Sequence, residues 1–231
     1  MLQAISLSKE YNSFKALQKL DLEVKPGEVF CLLGQNGAGK TTTINLFLGF
    51  TAPTSGRALV NGKDVVPGAV ATRRDIAYIP EVVMLYGQMT AMENLDYFSR
   101  LAGVTCHKDE LAAFLSQCGL QTDAHHRALG GFSKGMRQKV GIAIALAKNA
   151  KAILMDEPTS GLDPRATDEF TSLVLQLGKQ GKSVLMATHD IFNAVNLGTH
   201  IGIMRQGQLV HTVKAADINA NDLQQLYLQT I

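Results

Sequence analysis

The 231-residue chain predicts an α/β fold in which a parallel sheet core carries a flanking antiparallel β layer and an inserted helical subdomain. Three observations predict it. First, the apolar runs at 29–33, 152–155 and 184–187 are short, continuous and bounded by glycine or polar residues, as in parallel strands buried on both faces. Second, residues 5–11, 17–24 and 57–60 read as further strands, and 204–209 as a late hairpin about Gly207, which together supply the antiparallel layer. Third, between Pro80 and Lys148 the apolar residues recur at helical spacing over 90–101, 111–120 and 133–147, with no buried strand among them. The expected division is therefore a core with its β layer at 1–81 and 149–231, and a helical subdomain at 82–148. The alternative is that these helices are only crossovers of one regular sheet.

Composition narrows the function classes. A chain that is 46% hydrophobic and 18% charged, with a net charge of +2, gives no electrostatic case for nucleic acid as a partner, so any phosphate binding must be local. The first ten residues lack the basic stretch, apolar run and cleavage site of a secretory leader, and a cytoplasmic location is expected. The longest apolar run, near 142–147, falls far short of the roughly 20 residues a membrane-crossing helix needs. Cys31, Cys106 and Cys118 have no Cys-x-x-Cys spacing, which argues against a disulfide framework or zinc site. His125–His126 and Cys106–His107 read as solvated loop residues rather than metal ligands.

The chemistry concentrates after the first core strand. Gly34-Gln35-Asn36-Gly37-Ala38-Gly39-Lys40-Thr41 has the Gly-x-x-x-x-Gly-Lys-Thr spacing of a phosphate loop, and a helical run follows from Thr42 over 42–50. Glycines at those positions let consecutive N–H groups and the helix start face phosphate oxygens. Lys40 supplies a point charge, and the Thr41 hydroxyl suits Mg²⁺. The run at 152–155 then delivers Asp156 and Glu157 to the strand end where ligands sit in open α/β sheets. Asp156 suits metal binding, and Glu157 suits proton acceptance from an attacking water. A solvated acidic turn before Pro158 is the plain alternative.

Nearly the whole chain resembles the ABC ATPase family. The segment Phe132-Ser133-Lys134-Gly135-Met136-Arg137-Gln138 resembles the family signature Leu-Ser-Gly-Gly-x-x-Gln, with Phe132 for Leu and Lys134 for the first Gly. Asp156 through Asp163 resembles the acidic strand end and the turn that follows it. The resemblance implies a P-loop NTPase with a RecA-like core, using ATP and Mg²⁺. It implies that Ser133, Lys134, Gly135 and Gln138 meet the nucleotide of a second subunit, expected to be an identical copy, and that Asp163 ends a turn at that interface. Tyr11 matches the ring that stacks on adenine, and His189 the histidine beside the γ-phosphate. From the residues alone Tyr11 could equally be a strand-end core residue, Ser133 a helix cap and His189 structural.

Glu81 stands where many relatives have Gln, at a position that contacts the metal. Its surroundings look like the branch that exports drugs, sodium and polymers. Resemblance further implies a separate integral membrane permease, which holds the chain on the cytoplasmic face of the membrane. The link from Glu81 to Met89, with Leu85 and Tyr86 as bulky apolar side chains, is expected to receive a permease helix. Three rivals differ in class: a soluble relative acting in translation or DNA repair, a module that binds ATP without turnover, and another P-loop enzyme such as a kinase.

Overall fold

Val29–Leu33 forms strand β3, and all of its residues are buried. A strand with no wet face needs cover on both sides. The computed structural model, which describes residues 1–231, supplies it. The main sheet adds β6 (Ile76–Ile79), β7 (Ala152–Asp156), β8 (Ser183–Thr188), β9 (His200–Arg205) and β10 (Gln208–Lys214). Its order is β10-β9-β3-β8-β7-β6, parallel throughout except for the β9–β10 hairpin. That hairpin turns at Gln206 and Gly207, both at positive φ, as a tight primed turn requires. A second, antiparallel sheet runs β2-β1-β4-β5 from β1 (Leu2–Tyr11), β2 (Phe14–Val24), β4 (Ser55–Val60) and β5 (Lys63–Asp64).

Alternation along each strand sorts the core onto two faces. Phe30, Leu32, Leu154 and Leu185 pack with Leu2, Leu7 and Leu20 of the antiparallel sheet and with Ile44 and Phe47 of α1 (Lys40–Leu48). Cys31, Leu33, Ile153, Met155 and Met186 point the other way, toward the helices. These include α5 (Pro164–Lys179) and α6 (Ile191–Leu197); α7 (Ala220–Thr230) closes the fold.

Between β6 and β7 lie α2 (Ala91–Leu101), α3 (Lys108–Gln117) and α4 (Lys134–Ala147). Thr90 and Glu93 form a reciprocal capping box that starts α2. α3 stops before the expected residue 120 because Gly119 adopts φ 72°. α4 belongs to both halves of the molecule. Gly141 admits Val83 and Ile79, which a Cβ there would meet at 3.4 and 3.5 Å, and Lys148 Nζ donates to the Ile76 carbonyl at 2.6 Å. Leu95, Leu111 and Leu115 thus share one apolar cluster with Cys31 and Met155 of the sheet.

Three expectations change. The hairpin about Gly207 joins the main sheet, where β9 pairs with β3, and is not part of the antiparallel layer. His125 is buried, with its Nε2 3.1 Å from the Leu120 carbonyl, so it is a core residue and not a solvated one. In the link after β6, Leu85 packs inward while Met84 and Tyr86 stay exposed. The buried Asn94 side chain fixes this path, accepting from the Tyr86 N–H and donating to the Tyr86 and Thr90 carbonyls. No helix is long and apolar enough to cross a membrane.

Candidate active site

Because β3, β6, β7 and β8 are mutually parallel, the residues that follow them emerge at one edge of the sheet. Gly34 follows β3, Glu81 follows β6 by way of Pro80, Asp156 ends β7 with Glu157 next, and His189 follows β8. The loop after β3 is glycine-rich for steric reasons. A Cβ on Gly34 would lie 2.7 Å from the Met204 carbonyl oxygen, and one on Gly39, at φ 105°, would lie 2.8 Å from that of Ala16. The loop turns at once into α1, whose unpaired N–H groups and dipole leave a positive end there.

Lys40 is 5% exposed. Its Nζ donates to the carbonyls of Gly34 at 2.6 Å and Gln35 at 3.3 Å, and lies 3.5 Å from Glu157 Oε1. Glu157 adopts φ 45°, a left-handed conformation that is costly for a residue with a side chain. Its N–H is anchored on the Ala187 carbonyl at 2.9 Å. Its Oε2 lies 2.9 Å from His189 Nδ1 and accepts the His189 N–H at 3.3 Å. A carboxylate only accepts, so this pairing assigns the proton to Nδ1 of His189. Glu157 Oε1 is buried and makes no hydrogen bond. The strained backbone therefore presents one carboxylate between an ammonium and an imidazole, with one oxygen still lacking a hydrogen-bond donor.

Thr41 Oγ1 donates to Asp156 Oδ2 at 3.0 Å. Burial pushes the Asp156 carboxyl above its ordinary value; the Thr41 hydrogen bond and Lys40 oppose that, while the Glu157 and Glu81 carboxylates add to it. A half-buried carboxylate that is costly to ionise, with a hydroxyl on it and a second carboxylate nearby, is a set of hard oxygen donors that fits Mg²⁺. These groups line one cleft of about 360 Å³ together with Gln35, Asn36, Gly37, Thr42 and Phe14.

Other sequence candidates stand elsewhere. Tyr11 does not line this cleft: its exposed ring lies 4.7 Å from Lys9 Nζ. The aromatic side chain on the cleft is Phe14, the cross-strand partner of Tyr11, which sequence reasoning missed. The period-2 pairing of a short hairpin was the available signal. Ser133, Lys134, Gly135, Gln138 and Asp163 are likewise not on the cleft. Ser133 caps α4, accepting from the Met136 N–H at 3.3 Å, and Asp163 caps α5 through the Ala166 N–H at 2.9 Å. Gly135 allows a close approach to Ala166, whose Cβ an added methyl would meet at 3.2 Å. Gln138 is fully buried and donates to the Pro158 carbonyl, tying α4 to the turn after β7. Asn193 braces the same turn by donating to Thr159 Oγ1 at 3.0 Å, another contact the sequence did not announce.

Residues 17–160 match the family model described as "ABC transporter". The bacitracin transport ATP-binding protein BcrA of Bacillus licheniformis is 35% identical over 214 residues, which are 92% of this chain and 69% of that protein. The probable multidrug ABC transporter ATP-binding protein YbhF of Escherichia coli is 31% identical, covering 100% of this chain and 42% of its own length. Among solved structures, an ABC transporter ATP-binding cassette in its ADP conformation superposes with a TM-score of 0.86 at 25% identity, covering 99% of this chain and 94% of that one. A dimeric ATP-binding cassette in a post-hydrolysis state with ADP and phosphate superposes with a TM-score of 0.82 at 26% identity, covering 93% and 99%.

Proposed function

The chain belongs to the ABC transporter family as one of its ATP-binding ATPases, and on that premise we propose that it hydrolyses ATP at sites shared between two copies to drive export through a separate permease. The single observation that carries the catalytic assignment is the Glu157 carboxylate held between Lys40 and His189.

The N–H groups from Gln35 to Thr42 receive the phosphates, and Lys40 exchanges its contact with Glu157 for phosphate oxygens. That exchange leaves Glu157 Oε1 without its cation and ready to take a proton from the attacking water. His189 keeps the carboxylate oriented through Oε2. Thr41 and Asp156 would hold Mg²⁺, with Glu81 on the same cleft, and the metal supplies charge neutralisation at the phosphate oxygens. The base stacks beside the turn between β1 and β2, where the Phe14 ring stands on the cleft and Tyr11 is its cross-strand neighbour.

Ser133 and Gly135, with Asp163 at the adjoining turn, face a partner's nucleotide across a homodimer, while Gln138 supports them from inside. The start of α4 suits this: it carries no acidic residue in its first turn, and its dipole favours an anion. Closure is favoured by ATP because those contacts exist only in the closed state. Residues 82–148 move as the helical subdomain. The exposed Met84 and Tyr86 of the link, rather than Leu85, meet the permease on the cytoplasmic face of the membrane. Export is supported by the bacitracin and multidrug names of the relatives. Purification from native membranes in mild detergent should bring an integral membrane protein along; a chain that always purifies alone contradicts this.

Glu157→Gln should keep ATP binding while hydrolysis falls by roughly 10²–10⁴-fold, the usual worth of a positioned base. A phosphate-release assay reads the rate, and turnover at the parent rate would remove Glu157 from the role.

A further inference from the structure

Three carboxylates, Glu81, Asp156 and Glu157, line the nucleotide cleft, and only one ammonium, that of Lys40, stands on it with them. The second cation comes from the side. Lys134 Nζ lies 4.0 Å from Glu81 Oε1 and donates to the Ser160 carbonyl at 2.5 Å, while Ser160 Oγ donates to that same Glu81 oxygen at 2.9 Å. The three side chains come from three places: the end of β6, the turn after β7 and the first residue of α4. Gly161, at φ 67°, bends the turn so that the Ser160 carbonyl faces the lysine.

We propose that Lys134 is a positioning residue for hydrolysis that acts within its own chain, through Glu81: with Ser160 it holds the Glu81 carboxylate at one orientation on the cleft wall. This rests on the reading of the cleft as the Mg-ATP site. It differs from the role the signature resemblance gives Lys134, which is contact with the partner's nucleotide. The start of α4 is thereby tied to the cleft wall by a charge, so a displacement of α4 reorients a cleft carboxylate without passing through the sheet. Lys134 is 29% and Glu81 53% exposed, so the pair contributes little to stability and its effect falls on geometry.

The test is a cycle of Glu81→Gln, Lys134→Met and the double variant, each in the full chain. Lys134→Met should leave the thermal midpoint within about 2 °C of the parent. It should lower kcat roughly 3- to 30-fold with KM for Mg-ATP nearly unchanged, the range expected of contacting residues. In the Glu81→Gln background the same change should cost less than about twofold, and Lys134→Arg should restore most of the rate. In the nucleotide-free chain, Lys134→Met should also speed amide hydrogen exchange at residues 159–162, a readout that requires no nucleotide. Equal losses in both backgrounds overturn the proposal and return Lys134 to the partner's nucleotide, and so does unchanged exchange in the turn. Nucleotide affinity that survives Lys40→Ala would instead count against the Mg-ATP reading of the cleft, leaving the exchange result to judge the bridge.

Discussion

Lys40 and Ser133 each stand at the start of a helix, yet their surroundings are opposite. The ammonium of Lys40 is buried, with two carbonyls and a carboxylate around it inside one chain. Ser133 is exposed, and its hydroxyl contacts only the third residue beyond it on its own helix. The first region is completed by topology, because parallel strands bring Gly34, Asp156 and His189 to one edge whatever the loops do. The second is finished from inside by Gln138 and Gly135 but remains open outside. Two half-sites of this kind fit a molecule that works by association, since a closed state then exists only when two chains meet.

The comparison breaks most readily at Lys40. Lys40→Ala should weaken ATP binding by roughly 10- to 100-fold, the worth of hydrogen bonds to a charged group, as read by calorimetry. Parent affinity would mean that the loop does not hold the phosphates.

The α4 region should separate inside from outside. Gln138→Ala leaves the Pro158 carbonyl without its buried donor and should cost about 1–3 kcal/mol of stability, read as a lower denaturation midpoint. Ser133→Ala should cost about 1 kcal/mol or less, the value of an exposed cap, while still abolishing ATP-driven association. The reverse order of stability would show that Ser133 is the structural residue and Gln138 the accessory one.

The smallest effect concerns the metal-free cleft. The folded chain raises the Asp156 carboxyl above its unfolded value, chiefly by burial. Over the window between those two values the folded state binds more protons than the unfolded state, so stability falls as pH rises through it and stays lowered at neutral pH. Asp156→Asn should remove that fall and raise the neutral-pH midpoint without nucleotide, while losing the gain in nucleotide affinity on adding Mg²⁺. A midpoint that drops instead would mean the carboxylate is held by more than the Thr41 bond.

Much of this was legible in the sequence, for identifiable reasons. The strands β3, β7 and β8 are buried on both faces and therefore have no polar residue in their interiors, which is a strong local signal. The phosphate loop was legible because its glycines answer to local necessity: a Cβ on Gly34 or Gly39 would meet a carbonyl oxygen at under 3 Å, and Gly37 adopts φ 82°. β6 was not read as a strand because it is four residues long and runs straight into Pro80. Phe14 and Asn193 were missed because their positions depend on a hairpin register and on packing between α6 and the turn after β7. The Lys134 bridge joins residues 26 and 79 positions away from its partner Ser160 in sequence reach, distances no periodicity encodes.

The central claim is that each site takes Lys40 and Glu157 from one chain and Ser133 from the other. The most direct measurement is ATP-driven association in an equimolar mixture of Ser133→Arg and Lys40→Ala chains, followed by size-exclusion chromatography in Mg-ATP. Each variant alone should stay monomeric, while the mixture should form dimers that hold one complete site. A mixture that associates no better than either variant alone would contradict the shared site and leave Ser133 as a helix cap.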